Sequence, residues 1–460
     1  MLDSCDLPPT QKRRLRGHLF ARMICLGRHS VTGLLTTLGR QFCDWTADYR
    51  MYARGRVDPQ CLFDGLRRQM LRDQPQGPVV AAIDDTLTAH TGRSIHGARY
   101  RRDPMGPPFR VNLIRANRFL QLSMAWRTDQ RRARMIPVDF VHAPTPAKPR
   151  KGASPEQWAA YDERQRRCRL GCVAVERIGR LRRKVDDDGA SRRPLWIVGD
   201  GGYTNSTVLR QLPERTVFVG RIRADAKLYA LPEPNPKGRR RIYGAELPRP
   251  EAIRRDPAIP WRKVRAATAA GEHVFRIKTL DLVRWRGSGE QNLRLIVIAP
   301  LGYRLRKGGK LLYRKPAYLI CTDPEAPLSD VLQAYLWRWD IEVNFRDEKS
   351  LLGIGEAKVR HPMSVAAVPA VGVAAYGLLM LAGLKIWPDD TRPEAFALPK
   401  WRSKESSRLC LSQLIRQLRN ELWHEGFRKT DFASKPLPDT KSQKYTPNLK
   451  SALYYVVGSG

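Results

Sequence analysis

Cysteine is scarce in this chain: eight residues in 460, at positions 5, 25, 43, 61, 168, 172, 321 and 410. No two form a C-x-x-C pair, which excludes the zinc ribbons and fingers built on that spacing. Cys168 and Cys172 stand one helical turn apart, but no histidine lies near them to complete a metal site, so they read as free thiols. The pattern is that of a reduced, intracellular protein. Acidic residues are also short, with 45 Asp and Glu against 83 Lys and Arg and a formal net charge of +38. A small-molecule enzyme has no need of such an excess; a polyanion, nucleic acid first among them, is attracted by it. Long apolar runs are nearly missing. Residues 364–384 (SVAAVPAVGVAAYGLLMLAGL) carry no charge and could span a bilayer by length. They are rich in Ala, Val and Gly, contain Pro369 and have no companion segment, so a buried helix is expected and no membrane. The first 24 residues hold Asp3, Asp6 and Lys12-Arg13-Arg14 with no apolar core before them, unlike a secretory leader.

What is present suffices for a large folded protein. Hydrophobic residues make up 42% of the chain, which excludes wholesale disorder. Length suggests about three domains at ~150 residues each. Residues 1–75 read as helical, with Leu15, Leu19, Met23 and Leu26, then Leu34, Leu35, Leu38 and Phe42, at helical spacing. Thirteen basic against seven acidic residues there suit either an amphipathic cap or a DNA-contacting region.

From 76 to 222 the pattern becomes α/β. Strands are expected at 79–83, 119–126, 135–141, 195–198 and 217–222. Ser154 followed by Pro155 and Glu156 starts a helix that runs to about 184, with a break at Gly171. Strands and helices in this order imply a mixed sheet with helices on both faces. Residues 223–320 differ: Pro and Gly are frequent, alternating runs such as HVFRIKTLDLVRW suggest antiparallel strands, and 221–320 holds 24 basic against 8 acidic residues. Helix returns over 328–352 and 364–386. A basic helical tail is expected within 391–460, with a Pro- and Lys-rich end from 430. No internal repeat or low-complexity tract occurs.

Three places bring carboxylates to sites suited to chemistry. The strand at 79–83 ends in Asp84-Asp85, and the strand at 195–198 ends in Gly199-Asp200-Gly201-Gly202-Tyr203. Open α/β sheets place their sites at such carboxyl ends. Alone, either acid also reads as a turn or cap, and strand alternation does not choose between Asp84 and Asp85. The third place is more specific. Tyr335, Arg338, Glu342 and Lys349 are offset by 3, 7 and 14 residues, which on one helix falls within about 60° of arc. Such a stripe joins a carboxylate, a ligand for hard divalent cations, to Arg and Lys, which hold phosphate. A plain surface ion pair between Arg338 and Glu342 would give the same spacing.

The Tyr335-Leu-Trp-Arg338-Trp-Asp-Ile-Glu342 run, with Lys349 beyond it, resembles the signature of the DDE cut-and-paste transposases of bacterial insertion sequences. It is most similar to the subgroup that excises through a DNA hairpin. The resemblance spans about 77–385 in element order. It implies a ribonuclease-H-like catalytic core (76–222 and 321–390) interrupted by a basic β-rich insertion (223–320). It assigns the catalytic, metal-binding acids to Asp85, Asp200 and Glu342, two Mg2+ ions (Mn2+ able to substitute) as cofactors, and DNA phosphate contacts to Tyr335, Arg338 and Lys349. It also implies a Trp in the insertion that stacks a flipped base. Trp261 and Trp285 are the candidates, each equally readable as a packing residue. The spacings are 115 residues from Asp85 to Asp200 and 142 from Asp200 to Glu342.

The chemistry agrees. Three carboxylates around two ions about 4 Å apart suit in-line attack on a phosphodiester. The implied partners are double-stranded DNA, as transposon ends and target, and a second copy of the chain on that DNA; the implied location is the bacterial cytoplasm. A catalytically inactive, transposase-derived DNA-binding protein would share the charge and fold, and an RNA-binding factor would share the charge.

Overall fold

The computed structural model describes residues 2, 5–104, 106–107, 109–128, 131–233, 240–269, 271–306, 308–390 and 408–429, the last six of them as backbone only. The expected loop-like end from 430 lies outside these residues. The chain opens with four helices, α1 (Pro9–Ile24), α2 (Val31–Thr37), α3 (Thr46–Ala53) and α4 (Gln60–Asp73). Proline occupies the first turn of α1, and the Ser30 hydroxyl accepts from the Gly33 N–H to cap α2. Leu15 and Leu19 are buried as their spacing predicts, but Phe42 is 79% exposed. It lies in the turn after α2, where Gly39 adopts a φ of 72° and ends the helix.

Cys5 and Cys61 form a disulfide with a Cα–Cα distance of 5.4 Å. The expectation of reduced cysteines throughout is therefore corrected at this pair. Folding α4 onto the N-terminal segment joins residues 56 positions apart, a proximity that spacing does not reveal. The remaining six cysteines are free.

The sheet begins with β1 (Val79–Ala89), β2 (Arg99–Arg102), β3 (Leu113–Arg127) and β4 (Ala133–His142). β1, β2 and β4 each pair antiparallel with β3. Then come α5 (Pro155–Arg167), α6 (Leu170–Val185), β5 (Leu195–Gly199), α7 (Ser206–Leu209) and β6 (Thr216–Arg221). β5 lies parallel to β1, and β6 parallel to β5. Val79–Ile83 and all of β5 are buried, as expected for uninterrupted apolar strands with both faces covered. Ser154 and Gln157 form a capping box at the start of α5. The break after α5 falls at Cys168–Arg169, just before the expected Gly171.

The basic stretch that follows contains β7 (Leu228–Tyr229), α8 (Pro250–Arg255), β8 (Arg262–Thr268), β9 (Gly271–Trp285), β10 (Leu293–Ile298), β11 (Gly302–Tyr303), β12 (Leu312–Tyr313) and β13 (Ala317–Cys321). β13 pairs antiparallel with β6, so these strands extend the first sheet, apart from β11 and β12, which pair with each other as a separate two-stranded ribbon. The order is β2-β3-β1-β5-β6-β13-β10-β9-β7, with β4 on β3 and β8 on β9.

The expected continuous helix over 328–352 is two helices, α9 (Leu328–Trp337) and α10 (Asp340–Ser350). At the join Trp339, Ile341 and Glu342 donate to carbonyls three residues back instead of four, which tightens the turn. Asp340 is drawn inward there: its Oδ2 accepts from the Met135 N–H at 2.9 Å, and Arg134 lies 3.5 Å from its other oxygen. The uncharged run is α11 (Pro362–Ile386), which packs against α1, α3 and β4 and buries Val365 to Gly377 almost without interruption. It is the one described helix long and apolar enough to cross a membrane, and 72% of its most apolar window lies inside the protein. α12 (Leu411–Lys429) follows.

Candidate active site

Two parallel strands set the site. Ala82 of β1 stands opposite Val198 of β5, so both chains reach an acid two residues later: Asp84 and Asp200 share a level. Alternation along β1 decides direction. Val80 and Ala82 face the core under α9 and α10, with Val331, Leu332 and Ile341, whereas Ala81 and Ile83 face the opposite core. Asp84 continues the first series and Asp85 the second.

The contacts follow that division. Arg338 donates from Nη1 to Asp84 Oδ2 at 3.2 Å and from Nη2 to Glu342 Oε1 at 3.1 Å. Asp85 faces away from this pair, and its Oδ1 accepts a 3.0 Å bond from the buried Tyr203 hydroxyl. Asp200 Oδ1 accepts from the Gly202 N–H at 2.8 Å, and Thr204 Oγ1 donates to the Asp200 carbonyl at 2.9 Å. That turn needs Gly220 on β6, because a Cβ there would lie 2.2 Å from Thr204 Oγ1.

Burial raises the Asp84 carboxyl to about 7; Arg338 opposes the shift, and the charges of Asp200 and Asp85 add to it. Asp85 is raised by burial and by Asp200, opposed by Arg118, the Tyr203 hydrogen bond and Arg101. Burial, with Asp85 and Asp84 close by, pushes the Tyr203 phenol well above its ordinary value. A cluster of carboxylates under like-charge stress is the setting in which a cation is favourable.

The structure thus joins Arg338, Asp84 and Glu342, with Asp200 alongside. It does not join Tyr335 or Lys349 to them. α9 and α10 meet at a tightened but still helical turn, Tyr335 packs partly buried beside the core under α9, and burial lowers the Lys349 ammonium beside Glu348. Trp261 lies beneath two cations, with Lys278 Nζ 4.7 Å and the Arg276 guanidinium 5.1 Å from its ring. Trp285 instead lines an open groove of about 870 Å3 beside Asp200, with Gly201, Arg221, Arg223 and Lys315. Gly287 lets its ring lie flat, since a Cβ there would meet it at 2.4 Å. Sequence reasoning missed Tyr203, although it stands within the GDGGY strand end. It also missed Glu348, buried and bonded at 3.2 Å by Gln121, the residue opposite Asp84 on β3.

A profile of the DDE superfamily endonucleases matches residues 4–289. The chain belongs to this family. The matched segment of this DDE endonuclease includes Asp84, Asp85 and Asp200 and stops before Glu342. A search of curated proteins gives no match. Its family places the chain among nucleases and transposases that act on DNA, generally with divalent metals. The donor set fits a hard cation in kind, because Asp84, Asp200 and Glu342 offer only carboxylate oxygens. Among the described residues no three His, Cys, Asp or Glu side chains are gathered closely enough to enclose an ion. The Arg338 guanidinium lies between Asp84 and Glu342.

Proposed function

We propose that the chain is a DNA transposase with a ribonuclease-H-like core. Support for that core comes from the strand series β4-β3-β1-β5-β6, antiparallel up to β1 and parallel after it. The observation that carries the catalytic reading is the shared level of Asp84 and Asp200 on adjoining parallel strands, with Glu342 tied to Asp84 through Arg338. Asp84, Asp200 and Glu342 are the metal-binding acids of this reading. Asp84 takes the place that the family resemblance gave to Asp85, because only Asp84 faces the helix that carries Glu342.

The chain's own residues divide the work. The Asp200 turn, held by Thr204 and the Gly202 N–H, fixes one carboxylate. Arg338 positions two more and remains within reach of a scissile phosphate. The groove of Arg221, Arg223 and Lys315 receives the DNA backbone, and Trp285 offers a stacking face for an unpaired base. Mg2+ or Mn2+ held by the three acids would supply the Lewis acidity that activates a water or 3′-hydroxyl and steadies the leaving oxygen. The family resemblance adds cutting through a DNA hairpin, joining of 3′ ends to target DNA, and a homodimer on two paired ends. The protein would act on DNA in the bacterial cytoplasm.

The test is incubation with a supercoiled plasmid carrying the DNA that flanks the gene. Mg2+-dependent cuts at the borders are expected. Tight border binding with no cleavage under Mg2+ or Mn2+ would instead favour an inactive, transposase-derived DNA-binding protein.

A further inference from the structure

The β-hairpin of β2 and β3 extends past the catalytic end of the sheet. Ala89, the last residue of β1, pairs with Ala116, and Leu113–Arg115 of β3 continue beyond it with β2 as their partner. The hairpin lies near the site: Arg101, which pairs with Ile114, bonds Thr145 and opposes the upward shift of Asp85. The two ends of its turn are tied together, with Asp103 N–H donating to Asn112 O at 2.8 Å and Asn112 Nδ2 to Asp103 Oδ2 at 3.2 Å.

On this short projection four large apolar side chains face outward: Tyr100, Phe109, Val111 and Leu113 are 73%, 89%, 72% and 57% exposed. Such a cluster on a surface marks a contact. Charge selects the partner. Arg99, Arg101, Arg102, Arg110 and Arg115 accompany the apolar residues, and Asp103, used in the turn, is the one acid among 99–115. The register puts Tyr100 opposite Arg115 and Arg102 opposite Leu113, so one face of the ribbon alternates apolar and guanidinium groups. A second copy's hairpin would be repelled by the same charges. Duplex DNA matches both components, because Arg holds phosphates while an apolar wedge enters between base steps and bends the helix.

We propose that the β2–β3 hairpin is a DNA wedge. Arg102 and Arg110 hold the backbone beside the bond to be cut, and Phe109 and Val111 part an adjacent base step. This rests on the transposase reading and assigns a DNA-deforming element distinct from the groove that Trp285 lines. Unstacking there would ease the tight bend that a DNA hairpin requires.

The experiment uses the full chain in EDTA, so that cutting does not interfere, with border duplexes carrying 2-aminopurine at successive positions. The wild type should brighten the probe at one step near the border. Phe109→Ser/Val111→Ser should bind the same DNA without brightening, and with an unchanged salt slope. Arg102→Ala/Arg110→Ala should lower the salt slope by about one unit per lost phosphate contact. Brightening by the apolar double variant equal to wild type would overturn the proposal. So would a loss of dimer mass in light scattering without DNA, which would assign the patch to a second copy. Failure of the wild type to bind border DNA would instead refute the transposase reading itself.

Discussion

Arg338 is bonded to Asp84, 3.2 Å from its Oδ2, and not to Asp85 one residue further along the same strand. The second guanidinium nitrogen holds Glu342 at 3.1 Å. One cation thereby links a strand-end acid to a helix acid 258 residues away in sequence, and also restrains the upward shift that burial imposes on Asp84. Replacing Arg338 should release that restraint. In Arg338→Ala the acid limb of the pH profile for cleavage should move upward by roughly one unit, since a neighbouring Arg typically lowers an Asp by that much or more. An unshifted limb with uniformly reduced cleavage would mean that Arg338 acts on phosphate alone.

Glu348 provides a test of the fold beneath the site. Burial raises its carboxyl to about 8. Because the folded value lies above the ordinary one, the stability it contributes is fully present below the ordinary carboxylate range and is lost as pH rises through about 8. The melting temperature should therefore fall by several degrees as pH rises from the ordinary carboxylate range to about 8, and level off above it. Glu348→Gln, which keeps the size and a partner for Gln121, should flatten that fall. An identical pH slope in the variant would show that Glu348 is not held neutral.

The two tryptophans should separate by assay. Trp261→Ala removes a ring stacked under Lys278 and Arg276, contacts worth about 0.5–1 kcal/mol each at partly exposed sites, and should lower the melting temperature. Trp285→Ala, which also removes core packing, should reduce cleavage of border DNA by more than its stability loss accounts for, with the cleavage loss smaller on substrates already unpaired near the cut. The reverse pattern would exchange their roles.

Much of the fold was legible because it depends on local pattern. The apolar runs at 79–83 and 195–198 are buried strands, the Ser154 signal caps a helix, and the uncharged run at 364–384 is a buried helix. Features that depend on distant pairing were not legible. Arg99–Arg102 is a strand only because β3 supplies its hydrogen bonds, and its composition reads as loop. The 223–320 strands read correctly as β, but their docking on β6 through β13 is not encoded in alternation. At the site, the candidate acids stand out in the sequence as strand ends and motif. The preference for Asp84 over Asp85 rests on the positions of α9 and α10, and the tightened turn between Tyr335 and Lys349 depends on Asp340 reaching Met135 on β4, a partner that helical spacing does not reveal.

The most direct measurement compares Mg2+-dependent cleavage of border DNA by Asp84→Ala, Asp85→Ala, Asp200→Ala and Glu342→Ala, alongside their affinity for the same DNA. The account predicts background cleavage for the variants at 84, 200 and 342, because these carboxylates hold the cation. It predicts near-native affinity for all three, because basic side chains hold the phosphates. Asp85→Ala should keep most of its cleavage, since its carboxylate is bonded to Tyr203 on the other side of the strand. Wild-type cleavage by Asp84→Ala, with complete loss in Asp85→Ala, would contradict the assignment.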